Sequence, residues 1–136
     1  MKFIKKVSSS LWYTSITMQE NNTFVGGCHC GAVRFQVSGL DLDHTVTCNC
    51  SRCSKLGSIL SFISADSFDL ISGEDHLTDY QFNKKVIHHM FCDICGVQSF
   101  SRGNNQGVPM VAINVRCLDD IDTDLLTSQK FDGKNS

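Results

Sequence analysis

The sequence predicts an all-β protein of one domain. From residue 23 onward, apolar residues recur in short runs parted by turn residues, and no stretch keeps a helical period beyond two turns. Seven of the eight cysteines fall into three tight motifs, which predicts a small β domain built around metal sites. A length of 136 residues suits one domain and is too short for two ordinary ones.

The strands follow in order. In AVRFQVS (32–38), Val33, Phe35 and Val37 share one face and Arg34 and Gln36 the other, the period of a half-buried strand. SGLDLD turns the chain, HTVTC (44–48) extends it again, and Gly57 separates a cysteine-rich stretch from ILSFIS (59–64). SFDLI (67–71), LTDYQF (77–82) and VIHHMF (86–91) are of strand length and are parted by SGED and NKK. VQSFS (97–101) leads into a GNNQG loop. VPMVAINV (108–115) is the most apolar run and is expected at the centre of a sheet, with Pro109 near an edge where its missing N–H costs least. The tail is acidic and then polar. Asp119, Asp120, Asp122 and Asp124 lack the glycine and closing glutamate of a calcium loop and read as a solvated turn.

Residues 1–22 read as a disordered extension to a zinc-binding domain over 23–136. Lys2, Lys5 and Lys6 are placed like the charged start of a signal peptide, but Ser8, Ser9, Ser10, Thr14 and Ser15 break up the apolar stretch that should follow. The expectation is a cytoplasmic protein. No apolar run approaches the roughly 20 residues needed to span a bilayer. A formal net charge of -2 argues against a nucleic-acid partner, because phosphate binding needs clustered Lys and Arg.

The cysteine spacing carries the chemistry. In an extended Cys-x-Cys the two α-carbons lie roughly 6.5–7 Å apart, at or beyond the disulfide limit, and both side chains leave the same face. Two thiolates on one face make half a metal site. Cys92 and Cys95 in FCDICG form a knuckle, in which Gly96 frees backbone N–H groups to turn toward sulfur. Structural zinc is almost always four-coordinate, and the other isolated pair is Cys28/Cys30 in GGCHCG. Together they are expected to hold one closed zinc site.

Cys48, Cys50 and Cys53 in CNCSRC then remain, and three protein ligands with an open position are the pattern of catalytic zinc. Three thiolates donate much negative charge, so such a site activates water poorly and suits a fourth, substrate thiolate. Its sulfur would then attack an electrophile such as an aldehyde. Cys117 in NVRCL is the alternative fourth ligand, which would make both sites structural; it also reads as a small buried hydrophobe. His29 is expected to point away from its cysteine neighbours, and His88 and His89 alternate along a strand. Arg34, Arg52, Lys55 and Arg102 are candidates to pair with carboxylates of an anionic thiol, and each also reads as a solvated surface charge.

GGCHCGAVRF, CNCSRCSKLGS and FCDICG, in this order, resemble the family of glutathione-dependent formaldehyde-activating enzymes, which also includes centromere protein V. The resemblance extends through SGEDHLTDYQF and from NVRCLDD to the FDG tail, about residues 24–133. It implies an Mss4-like, mainly β fold with two zincs per chain. Cys28, Cys30, Cys92 and Cys95 would hold the structural zinc and Cys48, Cys50 and Cys53 the catalytic one. It also implies a carbon-sulfur lyase that joins glutathione to formaldehyde. A binding module with two structural zincs is the alternative.

Overall fold

The computed structural model describes residues 22–135, so all but the last residue of the expected extension lies outside it. Among the described residues there are ten strands: β1 (Thr23–Gly27), β2 (Arg34–Ser38), β3 (Thr45–Cys48), β4 (Leu60–Ser64), β5 (Phe68–Ser72), β6 (Leu77–Tyr80), β7 (His88–Cys92), β8 (Gln98–Asn105), β9 (Val108–Asn114) and β10 (Ser128–Phe131). One short α-helix, α1 (Cys53–Leu56), interrupts them. The protein is all-β, as the alternation predicts.

A three-stranded sheet has the order β1-β2-β5, and a seven-stranded sheet the order β10-β3-β4-β9-β8-β7-β6. All pairings are antiparallel except β10 with β3. The apolar strand β9 is the central one of seven. Its partner β4 stops opposite Met110, so Pro109 pairs with β8 alone and no ladder bond is lost on the other side.

Three details differ from the sequence reading. β8 runs on through Asn105, and only Gln106 and Gly107 make the turn, at φ of 53° and 87°. A two-residue hairpin loop of this kind matches the twist of the flanking strands, which is why most of the GNNQG stretch stays in the ladder. β1 escaped notice because TFVGG ends on two glycines, which weaken a strand signal. β10 is polar and largely exposed, and it exists through its register with β3, Ser128 opposite Thr45 to Phe131 opposite Cys48.

The core lies between the two sheets. Val33, Phe35 and Val37 present no accessible surface, as the alternation predicts, and meet Phe100, Val111 and Ile113 of the larger sheet. Phe35, Phe68 and Phe100 form a triangle with centroids 4.7–6.2 Å apart. No helix among the described residues is long and apolar enough to cross a membrane.

Truncating the centre of this triangle should be costly. Phe35→Ala is expected to destabilise the metal-replete protein by about 3–5 kcal/mol, read from the urea midpoint. A loss under about 1 kcal/mol would show that the sheets are held together by something other than this contact.

Candidate functional site

The thiols of the three cysteine motifs converge in two groups. Cys28 and Cys30 follow β1, Cys92 ends β7, and Cys95 closes the turn into β8. Gly96 takes φ of 82° and donates its N–H to the Cys92 carbonyl at 2.8 Å, the tight turn that aims both knuckle thiols the same way. The sulfurs of Cys28, Cys30, Cys92 and Cys95 all lie within 4.8 Å of one another. Cys28 Sγ is 3.6 Å from Cys30 Sγ, which is 3.7 Å from Cys92 Sγ. Sulfurs at the corners of a tetrahedron with bonds of about 2.3 Å would sit about 3.8 Å apart, whereas a disulfide would need about 2 Å. The spacing fits a shared metal. The Val33 and Ile94 N–H groups point at Cys28 and Cys92 Sγ, at 3.3 and 3.4 Å, as donors do toward thiolates.

Cys48, Cys50 and Cys53 form the second group. Cys48 ends β3, Cys53 opens α1, and the turn between them aims the Cys50 N–H at Cys48 Sγ and the Cys53 N–H at Cys50 Sγ, each at 3.4 Å. The C-terminal tail folds over it. Lys134 N–H donates to Asn49 Oδ1 at 2.9 Å, and Asn49 Nδ2 donates to Asp132 Oδ1 at 3.0 Å. Between these anchors Gly133 passes so near the thiols that a Cβ there would stand 2.5 Å from Cys48 Sγ. Any larger residue there would push the Cys48 sulfur aside.

The thiols in each group do not ionise together. Although a backbone hydrogen bond from Ala32 favours its thiolate, Cys30 is pushed up to about 11 by desolvation and by the thiols of Cys28, Cys92 and Cys95. Hydrogen bonding from the Val97 backbone, together with that from Cys30, draws Cys95 down to about 6. Burial pushes Cys53 up to about 12, and Cys50 and Cys48 add to it. A divalent cation removes this conflict by displacing the protons. Both groups could therefore hold a metal ion, and thiolate donors suit zinc.

The three-thiol group opens into a cavity of about 690 Å³, to which all three cysteines contribute. Leu60, Phe62, Phe82 and Phe131 give it apolar walls, and Arg52, Lys84, Lys85 and Lys130 bring positive charge. The connection after β6 overhangs it, closed by Lys85 N–H donating to the Phe82 carbonyl at 3.0 Å. His89, 8 % exposed, lies on the wall, stacked on Phe82 with centroids 5.1 Å apart. Burial, and then the charge of Arg52, holds its pKa below the ordinary value.

Of the remaining sequence candidates, Lys55 lines a smaller cavity beside Arg52, and Cys117, Arg34 and Arg102 are placed elsewhere. Cys117 belongs to neither group. Burial pushes it up to about 11, with the charges of Cys28 and Cys95 adding to the effect, and its thiol faces the Gln98 carbonyl at 3.8 Å. Among the described residues no histidine joins either group. Arg34 is taken by Asp119, and Arg102 lies over the Phe68 and Phe100 rings at 5.1 and 5.3 Å. Lys84, Lys85 and Lys130 also line the larger cavity, and no local signal in the NKK turn or the polar tail ties them to cysteines that are distant in sequence.

Gly133 supplies a specific test. Gly133→Ala is expected to displace Cys48 and weaken metal binding at the three-cysteine group by about 10- to 100-fold, while the four-cysteine group keeps its affinity. Competition with a graded series of chelators measures both; equal affinity to the parent at both sites would show that the tail does not shape the site.

Residues 23–131 match the family model described as glutathione-dependent formaldehyde-activating enzyme. A protein of Talaromyces marneffei that carries that name provisionally is 34% identical over 87 residues, 58% of this chain and 46% of the relative. The chain thus spans less than half the length of that curated relative. A crystal structure of a Rhodobacter sphaeroides protein superposes with a TM-score of 0.71 at 28% identity, covering 79% of this chain and 99% of that one. The fold is the all-β, Mss4-like one that the motif resemblance implies. With its motifs, its fold and a match over most of its length, the chain belongs to the glutathione-dependent formaldehyde-activating enzyme family.

Proposed function

We propose that the domain over residues 23–136 is a zinc-dependent enzyme of the carbon-sulfur lyase type, which adds a thiol, glutathione in the first instance, to a small aldehyde such as formaldehyde, or releases it. The observation that carries this reading is that three thiols, not four, meet on the wall of a cavity large enough for a small molecule. Cys28, Cys30, Cys92 and Cys95 would hold a structural zinc that ties β1 to β7. Cys48, Cys50 and Cys53 would hold a second. Zinc bound there supplies a Lewis acid with one position open to a further thiolate.

The protein's own residues then do the rest. Joining a thiol to an aldehyde forms one S–C bond, breaks the C=O π bond and moves the sulfur's proton to the carbonyl oxygen, with no change in total oxidation level. His89 lines the cavity and, being held neutral, can accept that proton on a ring nitrogen and return it. Phe62, Phe82 and Phe131 supply apolar surface against which a small carbonyl carbon can lie. The tail across Gly133 packs against Cys48, the last residue of β3, and against Cys50 in the turn that follows.

Removal of one ligand from the open group tests the reading. Cys50→Ser is expected to lower zinc from two to one per chain and to abolish thiol-dependent exchange of formaldehyde, followed by NMR, with the β-sheet signature retained. Turnover unchanged in that variant would overturn the assignment of Cys48, Cys50 and Cys53 to the reaction.

A further inference from the structure

Arg52 sits between two of the three clustered thiols, and it is held rather than solvated. Its Nη2 donates to Gln98 Oε1 at 2.5 Å, and its guanidinium carbon lies 4.7 Å from the centroid of the Tyr80 ring. Two fixed contacts set the plane of the fork. Its Nε is buried with no hydrogen-bond partner, and among the described residues no carboxylate forms an ion pair with it. An Nε without an acceptor and a guanidinium without a carboxylate leave Arg52 a cation whose charge the fold does not itself neutralise.

Its position is equally informative. Arg52 lines the large cavity and also a smaller one of about 370 Å³, which shares Leu56 and Phe82 with the first and adds Lys55. Around the two cavities stand Arg52, Lys55, Lys84, Lys85 and Lys130, and among the described residues no Asp or Glu lines either. Offsetting the thiolates does not require so many cations. Three thiolates around a divalent ion leave one net negative charge, which a single cation neutralises.

Resting on the thiol-binding reading above, we infer that the site takes its thiol by the carboxylate end, with Arg52 as the anchoring and specificity-determining residue, and makes no use of an ammonium group. The substrate class is a carboxylate-bearing thiol long enough to place its sulfur at Cys48, Cys50 and Cys53 and its carboxylate at Arg52. A free amino group on that thiol meets no carboxylate among the residues that line either cavity, only cations, neutral polar groups such as Asn83 and Gln129, and apolar walls. Glutathione satisfies the first demand, and its amine is superfluous.

The test compares ligands on the zinc-replete protein by calorimetry, with zinc content measured alongside. Masking both carboxylates as glutathione diethyl ester is expected to weaken binding about 10- to 100-fold, whereas N-acetylglutathione should bind at least as tightly as glutathione. In Arg52→Gln the preference for acid over ester should fall towards unity at unchanged zinc content, and Arg52→Lys should restore part of it. A merely structural Arg52 would lower zinc content or stability without altering that ratio, and this outcome overturns the assignment. Ester binding equal to acid, or binding abolished by N-acetylation, overturns the carboxylate rule while leaving the thiol reading intact. Should none of the three thiols bind a protein that holds two zincs, both fall.

Discussion

Everything in this fold depends on bringing like, mutually repelling sulfur donors into one small volume. Cys28 and Cys30 leave the three-stranded sheet, Cys92 and Cys95 lie at the end of a strand in the seven-stranded one, and their sulfurs lie within 4.8 Å. Without a cation the four thiols divide into some that hold protons and some that release them. A shared metal would turn that repulsion into a crosslink between the sheets, and it would close a long loop, where restricting the unfolded chain matters most. Cys28 and Cys92 are at the same time members of the buried core, so the crosslink and the hydrophobic contact share a boundary.

The second group is built on different terms. It arises within six residues, CNCSRC, and its turn needs no distant partner to bring the sulfurs together. What comes from a distance is its enclosure. β10 lies parallel to β3, Gly133 is drawn across Cys48, and the connection after β6 supplies an overhang with two lysines. A cluster made locally and enclosed from afar leaves one side open to a cavity, whereas the group assembled from two sheets brings together four thiols of its own.

Arg52 joins these layers. It occupies a position within the cysteine motif, yet its fixed orientation comes from Gln98 on β8 and Tyr80 on β6. Burial lowers the pKa of His89 at the cavity wall, and the charge of Arg52 lowers it further.

The order and spacing of the cysteines were legible in the sequence because Cys-x-Cys and Cys-x-x-Cys are local geometry, set by strand pleat and turn. The alternation of Val33, Phe35 and Val37 was legible for the same reason, as was the place of VPMVAINV at the centre of its sheet. Tertiary structure alone decided which long-range neighbours surround the open group. It decided that Arg34 is occupied by Asp119, that Arg102 lies on the core aromatics, and that Arg52 stays at the cavity. It also made strands of TFVGG and SQKF, whose own residues give weak β signals, by supplying partners for their backbones. The difference is physical: a period of two or a three-residue turn is fixed by covalent geometry, whereas the partner of a charge or of an edge strand is fixed by whatever the chain brings beside it.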